Sequence, residues 1–452
     1  MSLHTDFNLT SLDFGSDFIW GVSTAAYQIE GAHDLNEKGI SIWDNFTCKK
    51  GTIYRNQNGN VATDFYHHYK EDILLMKSMN IPNFRFSISW SRIIPNGTGT
   101  INMKGIEFYN NVINFCLECD ITPWVTLYHW DLPLALENEG GWTNRNIIGW
   151  FKNYTEVCAR HFGDRVKHWM VLNEPIVFTG AGYFLGVHAP GKKGLKNFLP
   201  TVHHAVLCQS IGGRTLRQLV PDSTIGTTFS CSQTTPYKNT KKHILAAQKA
   251  DTLLNRLFIE PVLGLGYPVK RVPILNRLKK YIRPGDELLM AFDFDFIGIQ
   301  NYTREVVKHH YFVPYIKAQI VKASKRKVNR TLMDWEVYPP SIYNMIKQFN
   351  RYQNIPKLII TENGASFEDQ ITNNEVNDQK RLNYYKSYLN EVYKAKKEGL
   401  KIDGYFAWTF TDNFEWAEGY RTRFGLVYVN FKNQKRIMKS SGKWFKSFLR
   451  QA

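Results

Sequence analysis

The sequence predicts an α/β protein, a single (β/α)8 barrel with elaborated βα loops at the carboxyl-terminal face of its strands. Three observations lead there. Eight short apolar runs of strand length recur along the 452 residues. Stretches with apolar residues at helical spacing lie between them, and no low-complexity linker or Pro/Gly/Ser-rich segment divides the chain. Strands alternating with helices favour a parallel sheet, and the simplest closed form for eight of them is the barrel. Two or three average domains could fit this length, but barrels of this class reach it as one, so residues 1–452 are read as a single domain.

Taken in order, the first run is Phe18 to Gln28. The amphipathic stretch HHYKEDILLMKSM then leads to the second run, Asn83 to Trp90, and IEFYNNVINFCLE leads to the third, Thr122 to His129. His168 to Glu174, Ser223 to Ser230 and Asp293 to Tyr302 follow as the fourth to sixth. Lys357 to Glu362 is the seventh; the helical stretch LNYYKSYLNEVYKAKKEG after it is closed by Gly399, the residue type best suited to a helix C-terminus. Ile402 to Phe410 is the eighth.

Composition narrows the function classes. A hydrophobic fraction of 43% and an aromatic fraction of 14%, with 12 Trp, 24 Tyr and 29 Phe, describe a globular protein rich in rings. Rings fill cores, and they also line sugar sites. No run of about 20 apolar residues is present to span a membrane. The start of the chain carries Asp6, Asp13 and Asp17 and no basic segment followed by an apolar one, so no secretory signal is read there. Without a signal, the six cysteines are expected to be thiols in a reducing, cytoplasmic setting, and sequons such as Asn8-Leu-Thr and Asn153-Tyr-Thr carry little meaning. Cys116 and Cys119 form a C-x-x-C, but they fall on a helical pattern and are expected to be core thiols.

The net charge is +17, concentrated in Lys270 to Arg283 and Lys317 to Arg330. Neither segment carries a nucleic-acid-binding signature, so the excess is read as a solvated basic face, with no nucleic-acid or membrane partner; the second segment is expected to be an exposed loop. A metal site would need clustered ligands. The adjacent pairs His67-His68, His203-His204 and His309-His310 cannot easily share one ion, and no H-E-x-x-H occurs.

The barrel reading makes a sharp demand, because catalytic groups in such a fold sit at the carboxyl ends of the strands. Here the apolar run Leu358-Ile-Ile-Thr ends on Glu362, a charge that costs free energy unless donors or cations hold it. Asn363 stands beside it, and the other strands end on Gln28, Trp90, His129-Trp130, Asn173-Glu174, Asn301-Tyr302 and Trp408, with Glu415-Trp416 just beyond. Two carboxylates, amides, a histidine and tryptophans on one rim favour a carbohydrate site.

These residues also carry a resemblance. The chain resembles glycoside hydrolase family 1, the β-glucosidase family, over nearly its whole length. FIWGVSTAAYQIEGA is similar to the family's amino-terminal signature, LIITENGAS to its nucleophile signature and VLNEP to its acid/base motif. RFSISWSRIIPNG, TLYHWDLP, GGW, WTFTDNFEWAEGY and RFGLVYV follow in the family's order.

The resemblance implies a cofactor-free retaining β-glycosidase acting on a small β-glycoside such as cellobiose or another short β-glucoside. It implies Glu362 as nucleophile and Glu174 as acid and then base, on strands seven and four, with repulsion from Glu362 keeping Glu174 protonated. Arg85 and Tyr302 would hold the nucleophile ionised. This chain reads Gln300-Asn301-Tyr302-Thr303 where many members read Asn-Tyr-Tyr-Thr, a departure that bears on Tyr302. Gln28, His129, Asn173 and Glu415 would bind sugar hydroxyls, Asn173 at the 2-hydroxyl. Trp408 and Trp416 would stack and pack against the ring, with Trp130 and Phe424 as further candidates and Trp335 as a wall of the +1 subsite. The Glu415 carboxylate would repel a phosphorylated sugar. Gluco, galacto and fuco sugars stay open on this reading, as does a non-catalytic sugar-binding relative, and the oligomeric state is unknown.

Overall fold

A computed structural model describes residues 7–450; Asp6 lies outside them. Eight parallel strands close into a barrel: β1 (Ile19–Ser23), β2 (Asn83–Ser87), β3 (Thr122–Tyr128), β4 (His168–Asn173), β5 (Thr224–Ser230), β6 (Phe296–Gln300), β7 (Leu358–Asn363) and β8 (Gly404–Trp408). Each pairs with the next, and β8 returns to β1 with Ile19 opposite Gly404. Inside the barrel, Trp124, Met170, Phe296, Ile359 and Phe406 form a packed plug below the strand ends. The plug needs room: a Cβ on Gly226 would lie 2.4 Å from the Phe296 ring. The core is therefore solid, and only the mouth is free for chemistry.

Eight helices follow the strands: α1 (Phe65–Ser78), α2 (Met103–Glu118), α3 (Ile147–Phe162), α4 (Leu195–Leu219), α5 (Lys241–Asp251), α6 (Pro340–Phe349), α7 (Gln379–Lys397) and α8 (Ser440–Phe448). Sequence chemistry explains their limits. In α2 the Asn102 side chain accepts from Lys104 N at 3.1 Å, and Ile106, Tyr109, Val112, Ile113 and Cys116 recur on the buried face. Past the end of α7, Gly399 adopts φ +77°, the left-handed conformation that releases the chain from the helix. Cys116 and Cys119 are free and buried, and burial pushes the Cys116 thiol up.

Three expectations need correction. The first apolar run is not one strand: β1 stops at Ser23, and Gln28 sits on the short helix Ala26–Ile29 after it. Trp90 does not face the mouth; it is buried, stacked on Tyr154 at 4.5 Å, because the chain turns into a helix at that residue. The segment 317–330 is not simply a loop, since Ala318–Ile320 pairs with Arg304–His309 in an outer three-stranded sheet and Arg326 pairs with Glu336. Among the described residues, no helix is long and apolar enough to cross a membrane.

Candidate active site

A register break just before it brings Glu362 to the mouth, and on β4 a break precedes Asn173, with Glu174 turned by its own left-handed backbone. On β7, Ile359 points into the barrel, so strict alternation would send Glu362 outward. The pairing with β6 slips between Ile360 and Glu362, which turns the carboxylate back over the plug. β4 slips likewise against β5 between Met170 and Asn173. Glu174 then follows with φ +46°, and Trp130 and Trp416 also carry positive φ, at +83° and +47°. Non-glycine residues in this region store strain that the surrounding packing must hold, and all three sit on one cavity.

Glu362 answers the question its strand raises. Its Oε1 accepts from Arg85 Nη1 at 2.5 Å and from Gln300 Nε2 at 2.9 Å, and its Oε2 accepts from Tyr302 Oη at 2.6 Å. Arg85 is fully buried and Glu362 is 3% exposed, so the ion pair is barely screened. Gln300 was not singled out by sequence. Phe296 marks the inward row of β6, and counting by two from it reaches Gln300, a signal that the strand pattern carried.

Glu174 is held differently. Burial pushes its carboxyl well up, and the Glu362 charge pushes it further, against weaker opposing effects of Ser230 and Arg85. Desolvation is thus the larger cause, ahead of the like-charge repulsion expected from sequence. Burial raises Glu362 as well, but the Arg85 ion pair and the Tyr302 hydrogen bond pull it back. The shared proton therefore resides on Glu174 while Glu362 stays the more acidic partner. Tyr302 itself is pushed far up by burial and by Glu362, so it remains a phenol that donates.

A network of amides lies under the cavity. Asn173 Oδ1 accepts from Arg85 Nη2, from Gln300 Nε2 at 2.7 Å and from Thr228 Oγ1 at 3.0 Å. Its oxygen is saturated, so its NH2 must be the group that meets His129 Nε2 at 2.9 Å. Burial and the Arg85 charge depress His129, leaving a neutral ring with its proton on Nδ1, a buried atom without a protein partner. Gln28 Nε2 donates to Phe414 O at 2.9 Å and to Glu415 Oε2 at 3.3 Å, while its Oε1 is also buried and unpartnered. Such atoms carry a desolvation cost that a ligand hydroxyl would relieve.

The cavity above encloses about 280 Å³. His129, Trp130, Glu174, Tyr302, Trp335, Glu362, Trp408, Glu415, Trp416 and Phe424 all line it, and Gln28, Arg85 and Asn173 join them through hydrogen bonds to Glu415, Glu362 and His129. Its walls are aromatic: Trp416 lies 4.5 Å from both Trp43 and Trp130, His129 stacks on Trp408 at 5.9 Å, and Trp335 tilts against Tyr302 at 5.2 Å. His188, Cys231, Leu254, Glu305 and Met333 also line it and were not anticipated. They come from loops, strand ends and, for Leu254, the π-helical turn Thr252–Arg256, whose placement no local pattern reveals. Asn301 and Asn363, read as rim residues, instead brace the backbone outside the barrel: Asn301 donates to Cys231 O at 2.9 Å, and Asn363 donates to Asn301 O at 2.6 Å.

Glu415 differs from the carboxylate expected. Burial and the Glu362 charge push it up to about 8, against Gln28 and Trp408, so near neutrality it holds a proton. Repulsion alone then does not exclude a phosphate. A stronger reason is that no Lys or Arg lines the cavity among the described residues, leaving a phosphate without a counter-charge.

Comparison with known proteins agrees with this geometry. The family Glycosyl hydrolase family 1 matches residues 10–452. The chain is 40% identical over 453 residues to β-glucosidase A of Acetivibrio thermocellus, covering 98% of this chain and 99% of that one. It is also similar to the solved family 1 β-glucosidase of Thermotoga maritima, at 40% identity and a TM-score of 0.91, covering 96% of this chain and 97% of that one. That bacterial enzyme has also been solved with deoxynojirimycin bound, and in this form the TM-score is 0.90 at the same coverage.

Proposed function

The chain belongs to glycosyl hydrolase family 1, and from that premise we propose that it is a retaining β-glucosidase in which Glu362 attacks the sugar and Glu174 handles the proton. One observation carries the assignment: two buried carboxyl groups share a cavity, and only one of them is clamped by a guanidinium, an amide and a phenol. The clamped group keeps its charge and serves as nucleophile. The unclamped one keeps its proton and serves as acid.

The reaction follows from that asymmetry. A terminal β-D-glucosyl unit enters with its ring against Trp408 and Trp416 and its hydroxyls on Gln28, His129, Asn173 and Glu415. Glu362 attacks the anomeric carbon while Glu174 protonates the departing oxygen, giving a glycosyl ester on Glu362. The charge that had raised Glu174 is then gone. Its affinity for protons falls, and it removes a proton from the water that attacks the ester, so the sugar leaves with its β configuration retained. The Asn173 NH2 directed at the 2-hydroxyl would strengthen its bond as positive charge develops on the ring.

The working unit is the whole chain as one cofactor-free catalytic domain acting on a small β-glycoside, with no nucleic-acid or membrane partner. The free cysteines support a reducing, cytoplasmic setting. The test is to incubate the protein with an activated 2-deoxy-2-fluoro-β-glucoside and to locate the adduct by peptide mass spectrometry. The expected result is a fluorohexosyl group on Glu362; a gluco probe that labels another residue overturns the assignment, and labelling only by a galacto or fuco probe changes the sugar.

A further inference from the structure

A second cavity of about 590 Å³ adjoins the catalytic one, and Val177, Ser230, Cys231, Ser232 and Leu254 line both. Its size lies within the range of small-molecule sites. Its far wall is made by Phe184, Leu195, Phe198, Ile274 and Ile316, and no charged or amide side chain lines it among the described residues. We propose that this annex receives an aliphatic aglycone, so that the substrates turned over best are β-glucosides of medium- and long-chain alcohols. The inference rests on the assignment of Glu174 as the acid.

Mechanism sets the direction. The oxygen that leaves takes its proton from Glu174, so the group bonded to it departs on that side of the site. Glu174 opens a short helix, Pro175–Val177, which runs directly into the wide-turn π-helix Phe178–Leu185, and Val177, Gly180, Ala181, Phe184 and Leu185 from these turns face the annex. The acid and the annex wall thus belong to one continuous segment. A second sugar placed there would bury hydroxyls against methyl groups and rings with few partners, whereas an alkyl chain needs none. The catalytic cavity has another neighbour, of about 210 Å³, which shares Thr303, Glu305, Met333 and Trp335 with it and carries Arg304, Arg326 and Glu336. That branch is the polar alternative, and it is the smaller.

Steady-state rates on ethyl to heptyl β-D-glucosides, kept below micelle-forming concentrations, test the proposal, with cellobiose and cellotriose measured beside them. Fully burying each methylene is worth up to about fourfold in kcat/KM, so the five added from ethyl to heptyl set a ceiling of about a thousandfold, and with partial burial a rise of about a hundredfold is expected. Gly180→Leu should flatten this rise and leave the ethyl glucoside unchanged, because a Cβ there meets nothing within 4 Å and the new side chain would occupy the annex. Leu185→Glu, at a position 56% exposed, should lower the heptyl rate at least tenfold with the fold intact. A flat alkyl series, or a heptyl rate untouched by both variants, overturns the proposal, as does a preference for cellotriose that tracks the polar branch. Failure to hydrolyse even ethyl glucoside and cellobiose would instead overturn the catalytic reading, and this inference with it.

Discussion

Arg85, itself fully buried, reaches Thr126 Oγ1 at 3.1 Å, the Thr361 carbonyl at 3.2 Å, Asn173 and Glu362. Replacing it with methionine keeps the bulk and removes the charge. Glu362 would then stay buried without its cation, its carboxyl would rise, and the acidic limb of the pH–activity profile should move to higher pH because the nucleophile must be ionised to attack. A loss of kcat of at least about a thousandfold is expected, with about 3–5 kcal/mol less stability from the unpaired charge; an unmoved acidic limb in the residual activity would remove Arg85 from its role. Glu174→Ala should act on chemistry alone. On alkyl glucosides, whose leaving groups need a proton, turnover should fall by about 10² to 10⁴, whereas a dinitrophenyl glucoside should still form its glycosyl-enzyme and then stall; equal losses on both would take the acid role away from Glu174. The two carboxylates, Arg85 and the tryptophans were readable from sequence because strand ends converge in this fold and the motifs have family-specific spacing. Gln300 and the protonated Glu415 were less so: one needed the inward row of β6 to be known, the other a burial that only packing decides.

At the scale of the element, the slips in β4 and β7 decide which side chains face the site. They are held in place by the layer beneath. A Cβ on Gly298 would lie 2.7 Å from the methyl groups of both Thr228 and Thr361. Thr228 bonds Asn173, and the Thr361 carbonyl accepts from Arg85. Gly298→Ala should therefore cost about 1–3 kcal/mol by overpacking and, through these two neighbours, lower kcat/KM more than tenfold while the barrel still folds. Thermal melting and kinetics on the same preparation check it, and unchanged kinetics would mean that the threonine layer does not position the site. The eight strands were legible because each is a short apolar run, and the helices because their apolar residues return every three or four positions. Their ends were not. In Phe18 to Gln28 the chain remains apolar after the ladder stops at Ser23, and the hydrogen bonds that end β1 come from residues distant in sequence. Register slips are invisible for the same reason.

Across the whole molecule, the βα loops are tied together by buried charge. Lys439 pairs with Asp369 and Asp412 at 2.6 Å each, Arg381 binds Asp369 and Asp378, and Arg423 binds Asp412, so the loops after β7 and β8 and the starts of α7 and α8 share one network. Asp369 and Asp412 each keep an arginine when Lys439 is removed. Lys439→Met should thus cost about 3 kcal/mol, near the low end for breaking a buried pair, and the loss should appear as a lower melting temperature with kcat on small glucosides little changed. A melting temperature equal to the parent's would show the network to be energetically idle. The barrel itself closes only through its last strand: β8 lies between β7 and β1, and Thr409 donates to Ser23 O at 2.7 Å across 386 residues. During synthesis this has a plain result. A ribosome that has already delivered Arg85, Glu174 and Glu362 has not yet delivered a barrel, and the apolar edges of β1 and β7 stay open until β8 emerges. Messages truncated before β8 should therefore yield inactive chains with sticky edges, which chaperones and proteases can recognise, and hydrolysis begins only after β8 has left the ribosome.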